Sequence, residues 1–229
     1  MFVDAVQRGV AYKWYPVLLM PFGDFAYFFV VKIHDPEFQS MANFFRNLTA
    51  PKVTLDDLRF RASESPSFAN KLALAQALRD AGENQEAAAF FEDVLKSDDE
   101  CKEALYGYAL CQLQLEQYHQ AIRALEHLID IKPSFQEYAA WPELAFALSR
   151  SDRRDSALAL LDTLVHKSPR LDHRVLYASY LTTDGQHEKA RDQLQLGIKA
   201  HKHAPRFQRR QEADAARKAR VMLSQFEAN

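Results

Sequence analysis

Alanine recurs in pairs through the second half of the chain, and the spacing of those pairs constrains the fold more than any other feature of the sequence. Ala87, Ala121, Ala157 and Ala190 follow one another at intervals of 34, 36 and 33 residues, and twelve residues before each stands another alanine, at Ala75, Ala109, Ala145 and Ala178. A period near 34 marks a repeat architecture, in which each unit buries its apolar face only by stacking on its neighbours. Two antiparallel helices come close only where small side chains oppose each other at the crossing. The paired alanines therefore predict one helix hairpin per repeat. Large apolar residues keep the same register, at Leu74, Tyr108, Leu144 and Tyr177 just before the first alanine and at Phe91, Leu125, Leu161 and Leu194 four residues after the second. They form the expected core between hairpins. Gly82 and Gly185 fall at the turn inside a hairpin, where a positive φ is needed, while Glu116 and Asp152 take that place in the middle repeats. Pro133 and Pro169 close two repeats just past the second helix, where a missing N–H does no harm.

The pattern resembles the tetratricopeptide repeat family over about residues 68–203, best in KEALYGYALCQLQLEQYHQAIRALEHLIDIKPSF from Lys102 to Phe135. The third repeat has Trp141 at the usual aromatic place but two extra residues before it, and Pro142 is expected to start that helix late. The resemblance implies an all-α solenoid of about four helix-turn-helix repeats over 67–204. A terminal helix from Pro205 to Phe226 is expected to cover the last repeat as the capping element of 205–229.

In this family the first helices of successive repeats line a concave groove that holds a segment of another protein. Carried over by position, the groove candidates are Leu72, Gln76 and Arg79, then Tyr106, Leu110 and Leu113, then Phe146 and Arg150, and finally Val175, Ser179 and Thr182. Arg79 and Arg150 are expected to fix an acidic group of a segment that is otherwise apolar or helical. The alternative is that Tyr106, Leu110 and Phe146 pack on neighbouring repeats or under the N-terminal segment. Chaperone-type members clamp a C-terminal carboxylate with lysines and asparagines, but the corresponding places here hold Leu72, Gln76, Gly107, Ala139 and Glu143, which disfavours that partner. A non-catalytic scaffold that binds another protein or peptide is the expected function, and self-association into a homo-oligomer stays open.

The first third of the chain reads differently. Trp14–Val31 is 18 residues long with a single charge, Asp24, and is bracketed by Lys13 and Lys32. As a helix it would span roughly 27 Å, close to the ~30 Å of a hydrocarbon core. Asp24 would cost about 2.5 to 3.5 kcal/mol at the centre, and Pro16 and Pro21 would kink the helix. The other reading is a hairpin about Pro21-Phe22-Gly23-Asp24 folded onto the repeats. KWYPVLLMPFGDFAYFF resembles the short membrane segment found before phospholipase D-type and cardiolipin synthase domains, and the whole chain resembles bacterial tetratricopeptide proteins that carry such a segment. Residues 1–34 are thus an expected membrane anchor in contact with lipid. Residues 35–66 are an expected linker with a short helix around Met41–Leu48. Lys32, Arg46, Lys52, Arg59 and Arg61 outnumber Arg8 and Lys13, which favours a bacterial inner-membrane protein with cytoplasmic repeats; a wholly cytoplasmic protein is the alternative.

Chemistry finds little support. The one H-x-K, His187-Glu188-Lys189, has Leu194 where a phospholipase D motif requires Asp. Arg191 stands where a zinc protease helix requires its second His. His119 with His127, and His201 with His203, lack the company of further ligands, so no catalytic residue, metal or cofactor is expected. Cys101 and Cys111 are too few for a disulfide framework and are expected to pack between helices. The net charge of −2 gives no reason to expect nucleic acid as the main partner. A local basic cluster of His201, Lys202, His203, Arg206, Arg209 and Arg210, followed by Arg217, Lys218 and Arg220, reads as a solvated face, with RNA or anionic lipid as the alternative occupant.

Overall fold

The computed structural model describes residues 53–228. Eleven α-helices lie among the described residues, and they follow the alanine pattern. Four antiparallel hairpins stack in chain order: α2 (Phe68–Asp80) with α3 (Asn84–Leu95), α4 (Lys102–Gln114) with α5 (Tyr118–Ile131), α6 (Ala140–Arg150) with α7 (Arg154–Lys167), and α8 (Leu171–Thr183) with α9 (His187–His203). All eight paired alanines are fully buried, so each sits at a helix crossing where a larger side chain has no room. Phe91, Leu125 and Leu161 are likewise fully buried, each ahead of a following hairpin, and so is Leu194, in the helix of the last hairpin that packs on the C-terminal helix. The turn residues Gly82, Glu116, Asp152 and Gly185 all take a positive φ, at 83°, 57°, 57° and 78°.

Helix α1 (Leu55–Glu64) stands inside the stretch expected to be a linker. Thr54 and Asp57 form a reciprocal cap, in which the Asp57 N–H donates to Thr54 Oγ1 and the Thr54 N–H donates to the Asp57 carboxylate. Leu55, Leu58 and Ala62 then recur on one face and pack against α2, while Arg59 donates to Glu83 and Glu86 of the first hairpin. That polar–apolar pattern was readable in the sequence and was missed because the flanking Pro51 and Pro66 suggested an open connection. The expected short helix around Met41–Leu48 and the Trp14–Val31 segment lie outside the described residues.

The two extra residues of the third repeat are taken up ahead of α6. Gln136, Glu137 and Tyr138 all adopt left-handed backbone, with φ of 42°, 58° and 71°. For ordinary L-residues this costs roughly 1–2 kcal/mol each. The side chains around it hold the detour in place. Phe135 is buried against the edge of Tyr106 at 5.7 Å, the Trp141 indole donates to Pro133 O at 2.8 Å, and the Tyr138 hydroxyl donates to Lys167 O. In the repeat register α6 starts two residues late, as expected: it begins five residues before Ala145, where α2, α4 and α8 begin seven before Ala75, Ala109 and Ala178. Pro142 lies in its first turn, where the N–H has no partner to lose.

The expected single terminal helix is broken in two, α10 (Arg206–Gln211) and α11 (Ala213–Ala228). The break falls at Glu212, whose carboxylate is buried. It accepts from the Leu171 N–H at the start of α8 (3.3 Å) and from Gln208, and lies 3.2 Å from His201 Nδ1. Folding Glu212 into the last repeat bends the chain there and removes His201 from the basic face on which it was expected. Beyond the break, α11 lays Ala216 and Ala219 against α8 and α9, and Phe226 meets His187 at 5.9 Å between ring centroids. The remaining basic residues, Lys202, His203, Arg206, Arg209, Arg210, Arg217, Lys218 and Arg220, are exposed, with Arg217 paired to Asp214.

Two hydrophobic clusters make the core, and α4 belongs to both. Ala104, Cys101 and Cys111 face the first, with Leu74, Leu78 and Phe91, whereas Leu105, Ala109 and Leu113 face the second, which runs on through the later hairpins to Ala219 of α11. Gly107 is required at the contact with α3, since a Cβ there would stand 2.3 Å from Phe91 Cζ. Both cysteines are buried and free, and burial pushes the Cys111 thiol up to about 11.

Candidate partner-binding groove

The first helices of the early repeats, α2, α4 and α6, pack side by side and present their remaining face as a shared surface. On it a hollow of about 380 Å³ opens between α4 and α6, lined by Leu110, Leu113, Gln114, Glu116, Tyr118, Glu143, Phe146 and Arg150. Four sequence candidates therefore meet at one place. Leu113, only 7% exposed, is the floor and also part of the core; Leu110 is half-buried beside it. Phe146, 42% exposed, stands on the rim with the edge of Tyr118 6.3 Å away at an interplanar angle of 76°. Arg150 lies with its guanidinium carbon 5.6 Å from the Tyr118 ring centroid and donates from Nε to the Tyr118 hydroxyl at 3.2 Å.

The hollow continues past Arg150 into a second one of about 350 Å³, where Ser149, Leu158, Ser179, Tyr180 and Asp184 join the lining. A third and larger recess, about 790 Å³, separates α8 from α11; it has Val175, Leu176, Val221 and Met222 within and Arg170, Asp172, Asp214, Arg217 and Lys218 about its mouth. Val175 and Ser179 open onto this recess. The structure thus spreads the fourth-repeat candidates away from the α4–α6 hollow.

The other candidates are occupied within the chain. Leu72 packs on the first core cluster, Gln76 is half-buried, and Arg79 donates through Nε and Nη2 to its neighbour Asp80. Tyr106 is half-buried, with its ring against Phe135. The hydroxyls of Thr182 and Ser179 donate to Ala178 O and Leu176 O of their own helix.

Transfer by repeat position missed Tyr118, which comes from a second helix, and passed over Glu143 as a partner contact. Glu143, Phe146 and Arg150 nevertheless fall at helical spacing along one face of α6, so the signal was present. Burial raises the Glu143 carboxyl above its ordinary value. No group of three or more His, Cys, Asp or Glu among the described residues is placed to hold a metal ion.

Comparisons with known proteins agree with the geometry. Residues 78–141, from the end of α2 to the start of α6, match the tetratricopeptide repeat family. The structure superposes on MamA from Desulfovibrio magneticus RS-1, residues 41 to the end, with a TM-score of 0.60 at 17% identity, covering 72% of this chain and 93% of that one. The fold is a tetratricopeptide-type solenoid. YrrB, described as a tetratricopeptide protein with an unusual peptide-binding site, superposes with a TM-score of 0.53 at 19% identity, over 76% of this chain and 86% of its own. Another MamA crystal structure gives 0.58 at 15% identity, over 65% and 81%. No curated protein sequence matches the chain. The family match begins at residue 78, so the likeness of the N-terminal segment to phospholipase D-type membrane segments rests on the sequence alone.

Proposed function

We propose that the tetratricopeptide-type repeats are a non-catalytic scaffold whose α4–α6 groove, from Leu110 to Arg150, holds a segment of a partner protein. One observation carries the reading: a half-exposed aromatic, Phe146, stands over an apolar floor of Leu110 and Leu113 with polar groups about it. An aromatic rim over an apolar floor, ringed by polar groups, is how peptide-binding surfaces concentrate affinity. The peptide-binding site described for YrrB, on the same type of fold, agrees with it. The test is to replace Phe146 in the full chain by a photo-crosslinking phenylalanine in cells, with Phe60 of α1, also exposed, as the reference position. The groove reading predicts a discrete protein adduct from position 146 and none from 60. Equal labelling at both positions would reject it.

The scaffold is tethered to the bacterial inner membrane by Trp14–Val31, with the repeats on the cytoplasmic side. Supporting this are the 18-residue stretch with one charge and the excess of Lys and Arg after it. No helix among the described residues is long and apolar enough to cross a membrane. Carbonate-washed membranes should retain the full chain and release a chain that starts at Val53. Release of both would place Trp14–Val31 with the folded repeats instead.

A further inference from the structure

The groove was expected to present arginines to an acidic partner. The geometry points the other way. Arg79 is held by Asp80, and Arg150 is turned onto the ring and hydroxyl of Tyr118. Arg150 thus has a hydrogen-bond partner, and the charged groups of the hollow without one among the described residues, Glu116 and Glu143, are negative. Glu143, in the first turn of α6, lines the hollow and makes no hydrogen bond or ion pair with any other described residue. It is half-buried, and it lies near enough to Tyr106 of α4 and Tyr180 of α8 that its charge adds to the rise that burial gives both phenols. Phe146 follows three residues later on the same face, about 4.5 Å along the helix axis.

A carboxylate withdrawn from water and left unpaired is costly to the free chain. The same withdrawal strengthens its attraction for a cation that arrives with hydrogen-bond donors. We infer that Glu143 sets the specificity of the groove by receiving the Lys or Arg side chain of the bound segment, while Phe146 and Leu110 take an apolar side chain about one helical turn away on it. The bound segment is thus a basic–apolar stretch of another protein, and an acidic stretch is repelled. This inference rests on the groove reading above and adds to it the chemistry of the partner.

The test is selection from a random peptide display library on the purified full chain and, in parallel, on Glu143→Gln and Phe146→Asp variants whose helicity matches the parent by circular dichroism. The expected result is enrichment of Lys or Arg at a fixed offset from an apolar residue on the parent chain. Fluorescence anisotropy of the best selected peptide should then show roughly tenfold or greater weakening by Glu143→Gln, and a Glu143→Arg variant should prefer the same peptide with its basic residue changed to Glu. Peptides that lose binding with Phe146→Asp but show no basic enrichment, or ignore Glu143→Gln, overturn the cation inference and leave the groove standing. Peptides indifferent to Phe146→Asp, or the absence of any binder, overturn the groove and the inference together.

Discussion

At each hairpin turn one residue takes a left-handed backbone, and in the two middle repeats that residue has a side chain. Glu116 bears the larger strain, because aspartate tolerates this conformation better than glutamate. Replacing Glu116 by Gly is expected to stabilise the chain by about 1 kcal/mol, and Asp152→Gly by less, read as a shift in the urea midpoint. Gly107 behaves oppositely. A methyl group there runs into the Phe91 ring, which is fully buried and has nowhere to swing, so Gly107→Ala should cost about 1–3 kcal/mol, and a second change, Phe91→Leu, should recover part of it. Glu143 gives two pH effects of opposite sign. With its folded value raised above the ordinary 4.5, the folded chain holds a proton that the unfolded chain releases. The stability this adds is present at low pH and is lost as pH rises through the folded value, so Glu143→Gln should flatten that loss and melt higher than the parent at neutral pH. Binding of a basic peptide should instead fade as pH falls through the same window. A residue kept for folding alone would not produce that pair of results. Tyr106 and Tyr180, the neighbours on which its charge bears, stay protonated throughout and leave the window to Glu143.

Apolar faces join the helices of this chain and a few buried polar groups add to them, and the two kinds of contact differ in how legible they are in the sequence. The hairpins were visible because alanine at a crossing is a local requirement that repeats, and the four pairs follow one another at 34, 36 and 33 residues. Glu212 was not visible. In sequence it interrupts a basic run, and only the fold brings it to the Leu171 N–H and to His201, 41 and 11 residues away. The same holds for the groove. Repeat position located Leu110, Phe146 and Arg150, but that Arg150 is spent on Tyr118 while Glu143 is not depends on contacts between helices. Glu212→Ala strips the α8 terminus and His201 of their shared acceptor and is expected to cost about 1–3 kcal/mol. Hydrogen exchange should locate the loss in α8, α9 and α11, with α2 to α5 unchanged. Faster exchange spread evenly over all the helices would contradict this role for the carboxylate.

In a solenoid each hairpin is stabilised by its neighbours, so the molecule need not unfold as one unit. Here the core is divided into a smaller cluster over α1 to α4 and a larger one from α4 to α11. The smaller is expected to open first as denaturant rises. Trp141 lies buried in the larger cluster, so in a Trp14→Phe background its fluorescence should change at a higher urea concentration than the midpoint of far-ultraviolet circular dichroism. Coincident transitions would mean that α4 couples the two clusters into a single cooperative block. Cys111 in that helix and Cys101 at its N-cap are the chain's two thiols, and both are buried while it is packed. A thiol-reactive dye added under native conditions therefore has nothing to label until α4 lets go of a neighbour, and the time course of its colour change clocks how often the joint between the two clusters comes apart.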